Sequence, residues 1–233
     1  FDSHFVSVGN DTLGTLTVHG HGGANSAAAL DTTAAGDLWD NTLINTTAAL
    51  STRKAPIAST SGDNLMVYSL PTLVDGLAVA GSYQATNTTG SGSTAFGATY
   101  SGIEGLSLSY GQGSSDNVKD VSGDQTIMKA SYAYGPITVA ASNNDFDHTT
   151  STIDQEVSSV SLSYTVSDQI SVSYGEETID RSGSATDIEV TGVSISYTSG
   201  GMTASFAQVE AENVDHTAGL DKEVWNIGLS FAF

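Results

Sequence analysis

The 233-residue chain contains no cysteine, which excludes disulfides, thiol catalysis and cysteine-based metal sites. It is also poor in basic residues, with six Lys and Arg against 26 Asp and Glu and a formal net charge of −20. Nucleic acid is therefore excluded as a partner, because phosphate backbones are bound by a basic face. The acidic balance instead fits a surface exposed to salt or divalent cations, which screen the repulsion between carboxylates.

Long apolar runs are missing as well. No stretch of about 18 or more apolar residues occurs, so no transmembrane helix is predicted. A transmembrane β-strand needs only about 9–11 residues with every second one apolar, so its mean hydropathy is near neutral. The mean hydropathy of this chain, −0.06, is compatible with such strands.

What the sequence does contain is a period-two alternation of apolar residues with small or polar ones. In the last ten residues, Trp225, Ile227, Leu229, Phe231 and Phe233 alternate with Asn, Gly, Ser and Ala, so one face of this strand is apolar. An uncovered apolar strand of this kind would be an aggregation hazard in a soluble protein. In a membrane barrel it faces lipid and closes the barrel, the role we assign to Phe233.

Thirteen strand-like runs are predicted, and the connections between them alternate between short and long. Short connections such as 101–104 and 135–136 alternate with long polar ones such as 112–125 and 144–156. This alternation indicates successive hairpins, and it is typical of an all-β, antiparallel up-and-down transmembrane β-barrel. The runs lie at about 4–8, 13–19, 64–70, 76–84, 94–101, 105–111, 126–134, 137–143, 157–166, 170–177, 188–197, 202–209 and 223–233.

Tyrosines divide into two bands when the short connections are placed at one end of the barrel. Each tyrosine falls in the phase of the apolar residues of its strand, as expected for girdles at the two membrane interfaces. The opposite faces carry Ser, Thr, Ala and Gly, which cannot build a dense core and predict a wide, water-filled lumen. The lower band is Tyr100, Tyr134, Tyr164 and Tyr197, and the upper band is Tyr83, Tyr110 and Tyr174.

Residues 20–62 carry no sustained strand pattern. A connection of about 40 residues is far longer than usual, and long loops inside compact folds are generally functional. One basic residue outside this loop is notable, because Lys129 is in phase with Ser131 and is predicted to face the lumen. An ordinary solvated lysine is the alternative for Lys129.

With these features the chain resembles the Gram-negative general porins along essentially its whole length. The matching pieces are the strand Leu13-Gly14-Thr15-Leu16-Thr17-Val18, the segment from Asn64 to Leu77 with its Tyr68 to Gly76 pattern, the strand-final tyrosines and Phe233. The resemblance implies a homotrimer in the bacterial outer membrane that allows passive diffusion of small hydrophilic solutes. Outer-membrane lipid and lipopolysaccharide are the surroundings that it implies.

The resemblance also implies a 16-stranded barrel whose third outer loop folds into the pore. Counted back from Phe233 as the last strand, the strand at 13–19 is the fifth and loop 20–62 takes the place of that third loop. We therefore expect one barrel domain over residues 1–233, with three N-terminal strands missing from the sequence. A complete smaller barrel is the alternative.

Charged residues in loop 20–62 are the candidate pore constriction under this resemblance. A transverse field across a narrow opening orients dipolar solutes and sets ion preference. The net charge predicts a preference for cations, and an outward loop with solvated charges is the alternative. The acidic candidates are Asp31, Asp37 and Asp40, and the basic candidates are Arg53 and Lys54.

Enzymatic chemistry is not indicated. No Ser/His/Asp grouping, phosphate-binding glycine loop or metalloprotease motif occurs, and the five histidines are scattered. Acidic loop clusters at 116–124, 143–147 and 210–215 could bind Ca²⁺ or Mg²⁺, although they lack EF-hand spacing, and no other cofactor is implied. The alternative function is a secreted or surface-layer adhesin, an acidic β-rich structural protein.

Overall fold

The computed structural model describes residues 3–40, 63–85, 92–115, 122–149 and 154–232, in which 13 strands form one sheet in chain order. Neighbouring strands pair antiparallel throughout, which confirms the predicted all-β, up-and-down architecture. The strands are β1 His4–Asn10, β2 Gly14–His21, β3 Leu65–Ser69, β4 Leu77–Ala85, β5 Gly92–Tyr100, β6 Leu106–Ser115, β7 Gly123–Tyr134, β8 Ile137–His148, β9 Gln155–Ser167, β10 Ile170–Arg181, β11 Ile188–Ser199, β12 Met202–Glu212 and β13 Lys222–Phe231.

Helical structure in these ranges is limited to three short turns, Ala28–Leu30, Leu38–Asp40 and Val214–His216. None of the helices that the structure describes is long and apolar enough to cross a membrane.

Tight turns join the strands at one end of the sheet. Gly135 lies between β7 and β8 at φ 56°, and Gly200 lies between β11 and β12 at φ 58°. This left-handed backbone is strained for residues with a Cβ atom, and glycine adopts it without that penalty. Two-residue turns at these positions fix the register of their hairpins.

The face of the sheet that carries the tyrosine bands is exposed, and we call it the outer face. Leu108, Tyr110, Tyr174 and Tyr197 are each at least 40 % exposed there, and Ile227 is 79 % exposed. An apolar belt of this extent, bounded by tyrosines, is what contact with lipid requires.

The opposite face, the inner face, has a polar half next to the tight turns. Here hydroxyl groups of neighbouring strands are hydrogen-bonded side by side, with 2.7 Å between the Oγ atoms of Ser173 and Ser194 and 2.7 Å between those of Ser171 and Ser196. This half matches the predicted Ser- and Thr-rich wall.

The other half of the inner face differs from the prediction, because it is a packed apolar core. Phe146, Ile127 and Ile188 are at most 2 % exposed. The expectation that small side chains line the whole inner face is wrong here. Ile188 packs in one buried cluster with Trp39 and Val214, which belong to two loop segments outside the strands.

Several strands continue beyond their predicted ends into the polar loops. β8 ends at His148, and its outer-face residue Asp145 pairs with Glu156 of β9. Asp124 of β7 likewise pairs with Asp147 of β8. Backbone hydrogen bonds between the strands continue beyond the last apolar residue of the outer face. A prediction based on apolar alternation therefore ends these strands too early.

Candidate functional site: a loop segment on the inner face

The described part of loop 20–62 lies against the inner face, and we call residues 24–40 the inner-face segment. Its backbone is held by serines of β4, β8 and β9. The Ser26 amide donates to Ser82 Oγ on β4 over 2.9 Å. The Ala34 amide donates to Ser142 Oγ on β8 over 2.8 Å, and the Ala35 amide to Ser159 Oγ on β9 over 2.9 Å.

The first turn of the segment is organised by Asn25, which is 1 % exposed. Its Oδ1 atom accepts hydrogen bonds from the Ala27 and Ala28 amides at 3.0 and 2.7 Å. Asparagine favours such turns because its short side chain mimics a backbone acceptor. The turn Ala28–Leu30 follows directly, and the segment then continues along the wall.

A second fixed turn spans Thr33 to Asp37. The Thr33 amide donates to Asp37 Oδ1 at 2.9 Å, and the Asp37 amide donates to Thr33 Oγ1 at 2.8 Å. These reciprocal bonds hold Asp37 at φ 58°, a left-handed conformation that Asp tolerates better than most residues. The Asp37 side chain therefore has a structural role within the segment.

Glu177 of β10 joins this turn to the wall. Its side chain is buried, at 1 % exposure. One carboxylate oxygen accepts a hydrogen bond from Thr33 Oγ1, and the other accepts one from the Trp39 amide at 2.9 Å. A buried carboxylate of this kind is retained only where donors replace the water that it loses.

Lys129 of β7 also contacts the segment. Its Nζ atom donates to the Thr32 carbonyl at 2.7 Å, and the neighbouring Asp31 carbonyl accepts from Asn144 Nδ2 of β8 at 2.6 Å. Lys129 pairs in register with Ser142, so it lies at an inner-face position, as its phase predicts.

The structure brings only some of the predicted constriction residues together. Asp31 and Asp37 belong to the inner-face segment beside Lys129 and Glu177, and the backbone of Asp40 ends the turn Leu38–Asp40. Arg53 and Lys54 lie outside the described residues, and so does Phe233, the predicted closure residue.

Sequence reasoning missed the residues that hold the segment, above all Glu177 and Thr33. A signal for Glu177 was present, because it shares the phase of Ser171, Ser173 and Gly175 on β10. Among the described strands β7–β12, Glu177 is the one carboxylate at an inner-face position. The serines that bind the segment carry no such signal, since they match the serines that line the open wall.

A metal centre is not visible in the described ranges, which contain no group of three or more His, Cys, Asp or Glu side chains placed to bind an ion. The suggestion that acidic loops bind Ca²⁺ or Mg²⁺ therefore stays a prediction. The inner-face segment, with its carboxylates and Lys129, is the candidate functional site.

The family model of Gram-negative porins matches residues 2–217. The chain belongs to the Gram-negative porin family. An outer-membrane channel is therefore confirmed as its function, the adhesin alternative is not favoured, and the family gives no indication of an enzyme. No match was found among curated protein sequences.

Solved porin structures share the fold of this family member at low sequence identity. The anion-selective porin from Comamonas acidovorans is 13 % identical over 100 % of this chain and 78 % of its own, with a TM-score of 0.73. Salmonella typhi OmpF in complex with daunomycin is 12 % identical over 97 % and 76 % of the two chains, with a TM-score of 0.66. OmpT of Vibrio cholerae is 13 % identical over 99 % and 80 %, with a TM-score of 0.62. These similarities confirm the β-barrel fold.

Proposed function

We propose that this porin passes small hydrophilic solutes by passive diffusion and that the inner-face segment narrows its lumen. The observation that carries the proposal is the hydrogen bonding of the segment to inner-face side chains of β4, β8, β9 and β10. A segment held on the lumenal side of the wall occupies cross-section that solutes would otherwise use. The polar half of the inner face, next to the tight turns, is lined by hydroxyl groups that water in the lumen can solvate.

Selectivity in this proposal comes from the charges of the segment. Asp31 and Asp37 contribute carboxylates, while the Lys129 ammonium is bound to the Thr32 carbonyl. Carboxylates beside a narrow, low-dielectric opening raise the local concentration of cations. We therefore expect cations to pass in preference to anions.

The experiment is conductance and reversal potential of the purified protein in a planar lipid bilayer under a salt gradient. Stable channels with a cation-selective reversal potential are expected, and a protein that inserts without conducting would contradict the proposal. Asp37→Asn removes the charge but keeps the oxygen that accepts from Thr33, so it should make the pore less cation-selective. Asp168→Asn, in the exposed turn between β9 and β10, is the matched control and should leave selectivity unchanged.

Assembly is the remaining part of the proposal: a homotrimer surrounded by outer-membrane lipid and lipopolysaccharide. Membership of the porin family supports it, and OmpT of Vibrio cholerae has been solved in a trimer form. The exposed apolar outer face also requires either lipid or another copy of the chain. Sedimentation in detergent should give three times the chain mass, and a monomer that still conducts would contradict the trimer.

A further inference from the structure

Glycines occur where the inner-face segment passes closest to the wall. They lie inside strands, at inner-face positions, and none of them has a left-handed backbone. Glycine inside a strand costs stability, since it has no side chain to pack, and it marks close approach of another chain segment. These segment-facing glycines are Gly97 of β5, Gly111 of β6, Gly175 of β10 and Gly192 of β11.

Two of these positions leave no room for a methyl group. A Cβ atom on Gly97 would lie 2.2 Å from the Ser26 carbonyl oxygen. A Cβ atom on Gly175 would lie 2.6 Å from the Cβ atom of Ala35. Neither obstacle is the end of a flexible side chain, so the segment itself would have to move.

The other two glycine positions could accept a Cβ atom after a smaller rearrangement. A Cβ atom on Gly192 would lie 2.7 Å from Leu38 Cδ2, the end of a side chain that can rotate away. A Cβ atom on Gly111 would lie 3.3 Å from the Ala27 Cα atom, which requires a shift of a few tenths of an ångström. The wall is thus in contact with the segment from β5 to β11, with the tightest contacts on β5 and β10.

We propose that the segment-facing glycines determine the size limit of the pore, because they set how closely the inner-face segment approaches the wall. The inference rests on the proposed role of this segment in narrowing the lumen. The wall is a continuous hydrogen-bonded sheet and cannot recede locally, so a side chain added behind the segment displaces it towards the lumen. Size selection is then controlled from residues that solutes do not touch.

Gly175→Ala is the sharpest test. Its single-channel conductance should be about twofold lower than that of the unmodified protein, with a smaller cut-off for neutral polymers. The matched control is Gly81→Ala on the outer face, where a new Cβ atom meets nothing closer than 3.9 Å. Gly192→Ala should have a weaker effect than Gly175→Ala, because Leu38 can adjust.

A second substitution separates displacement of the segment from general damage. Ala35→Gly removes the methyl group that the new Cβ atom would meet, leaving Leu38 Cδ1, the end of a flexible side chain, at 3.3 Å and the Ala35 Cα atom at 3.4 Å. The double variant Gly175→Ala/Ala35→Gly should therefore recover the conductance and the polymer cut-off. Conductance of Gly175→Ala at or above that of the unmodified protein would overturn the inference, and so would a loss that Ala35→Gly does not repair. An unmodified protein that does not conduct would instead refute the proposed function.

Discussion

The inner face of this porin has two halves with the same alternation of side chains but different surroundings. Near the tight turns, Ser171, Ser173, Ser194 and Ser196 line an open wall and bond to one another. Towards the long loops, the same phase of the strands carries buried apolar residues, and we call this half covered. Phe146 is 2 % exposed there, and Ile188 packs in a cluster with Trp39 and Val214 of two loop segments. One inner face can therefore be an open, hydroxyl-lined wall near the tight turns and a buried apolar surface near the long loops.

The largest effect that would test this comparison is expected at Phe146. Phe146→Ala should lower the free energy of unfolding by about 3–5 kcal/mol, because it leaves a cavity in the covered half. Ser196→Ala, in the open half, should change it by no more than about 0.5 kcal/mol. Urea unfolding in lipid vesicles measures both, and equal losses would mean that the two halves do not differ.

Substitutions of Glu177 test whether its hydrogen bonds hold the inner-face segment against the wall. Glu177→Leu leaves Thr33 Oγ1 and the Trp39 amide without an acceptor and should lower the free energy of unfolding by about 2–4 kcal/mol. Glu177→Gln keeps one carbonyl oxygen and should lose about half as much. Glu176, its exposed neighbour on the outer face, provides the control variant Glu176→Leu, and a loss of the same size there would rule out the bonded segment as the cause.

The smallest effect is expected when two serines of similar sequence context are each replaced by alanine. Ser159→Ala removes the acceptor of the Ala35 amide and should cost about 1–2 kcal/mol. It should also speed hydrogen exchange of residues 33–39. Ser173→Ala removes only one member of a wall pair and should alter neither quantity. If exchange of this segment is unchanged in Ser159→Ala, the serine bonds are not what holds it.

The strands were largely predictable because alternation against lipid leaves a strong pattern. The run predicted at 170–177 is β10, and the run at 202–209 is β12. The prediction was poorer where the outer face becomes polar. The alternation predicts a loop at Phe146, since Asn143, Asp145 and Asp147 on the outer phase of β8 give no apolar contrast.

The candidate site was less predictable than the strands. The position of loop 20–62 followed from family resemblance, and nothing local to Asp31 or Asp37 specifies which wall they meet. Thr33 and Glu177 are 144 residues apart, so their hydrogen bond depends on the register of every strand between them. The alternation of side chains along β10 is enough to identify Glu177 as an unusual carboxylate on the inner face. It does not identify the residue that Glu177 binds.

That separation of 144 residues also bears on the order of folding. Adjacent strands close short loops, whereas the segment from Asn25 to Asp40 can bind Glu177 only after β10 has joined the sheet. The segment can therefore complete its attachment only after the wall has assembled as far as β10. If the segment narrows the lumen as proposed, we expect a newly inserted barrel to be more permeable before the segment has bound than afterwards.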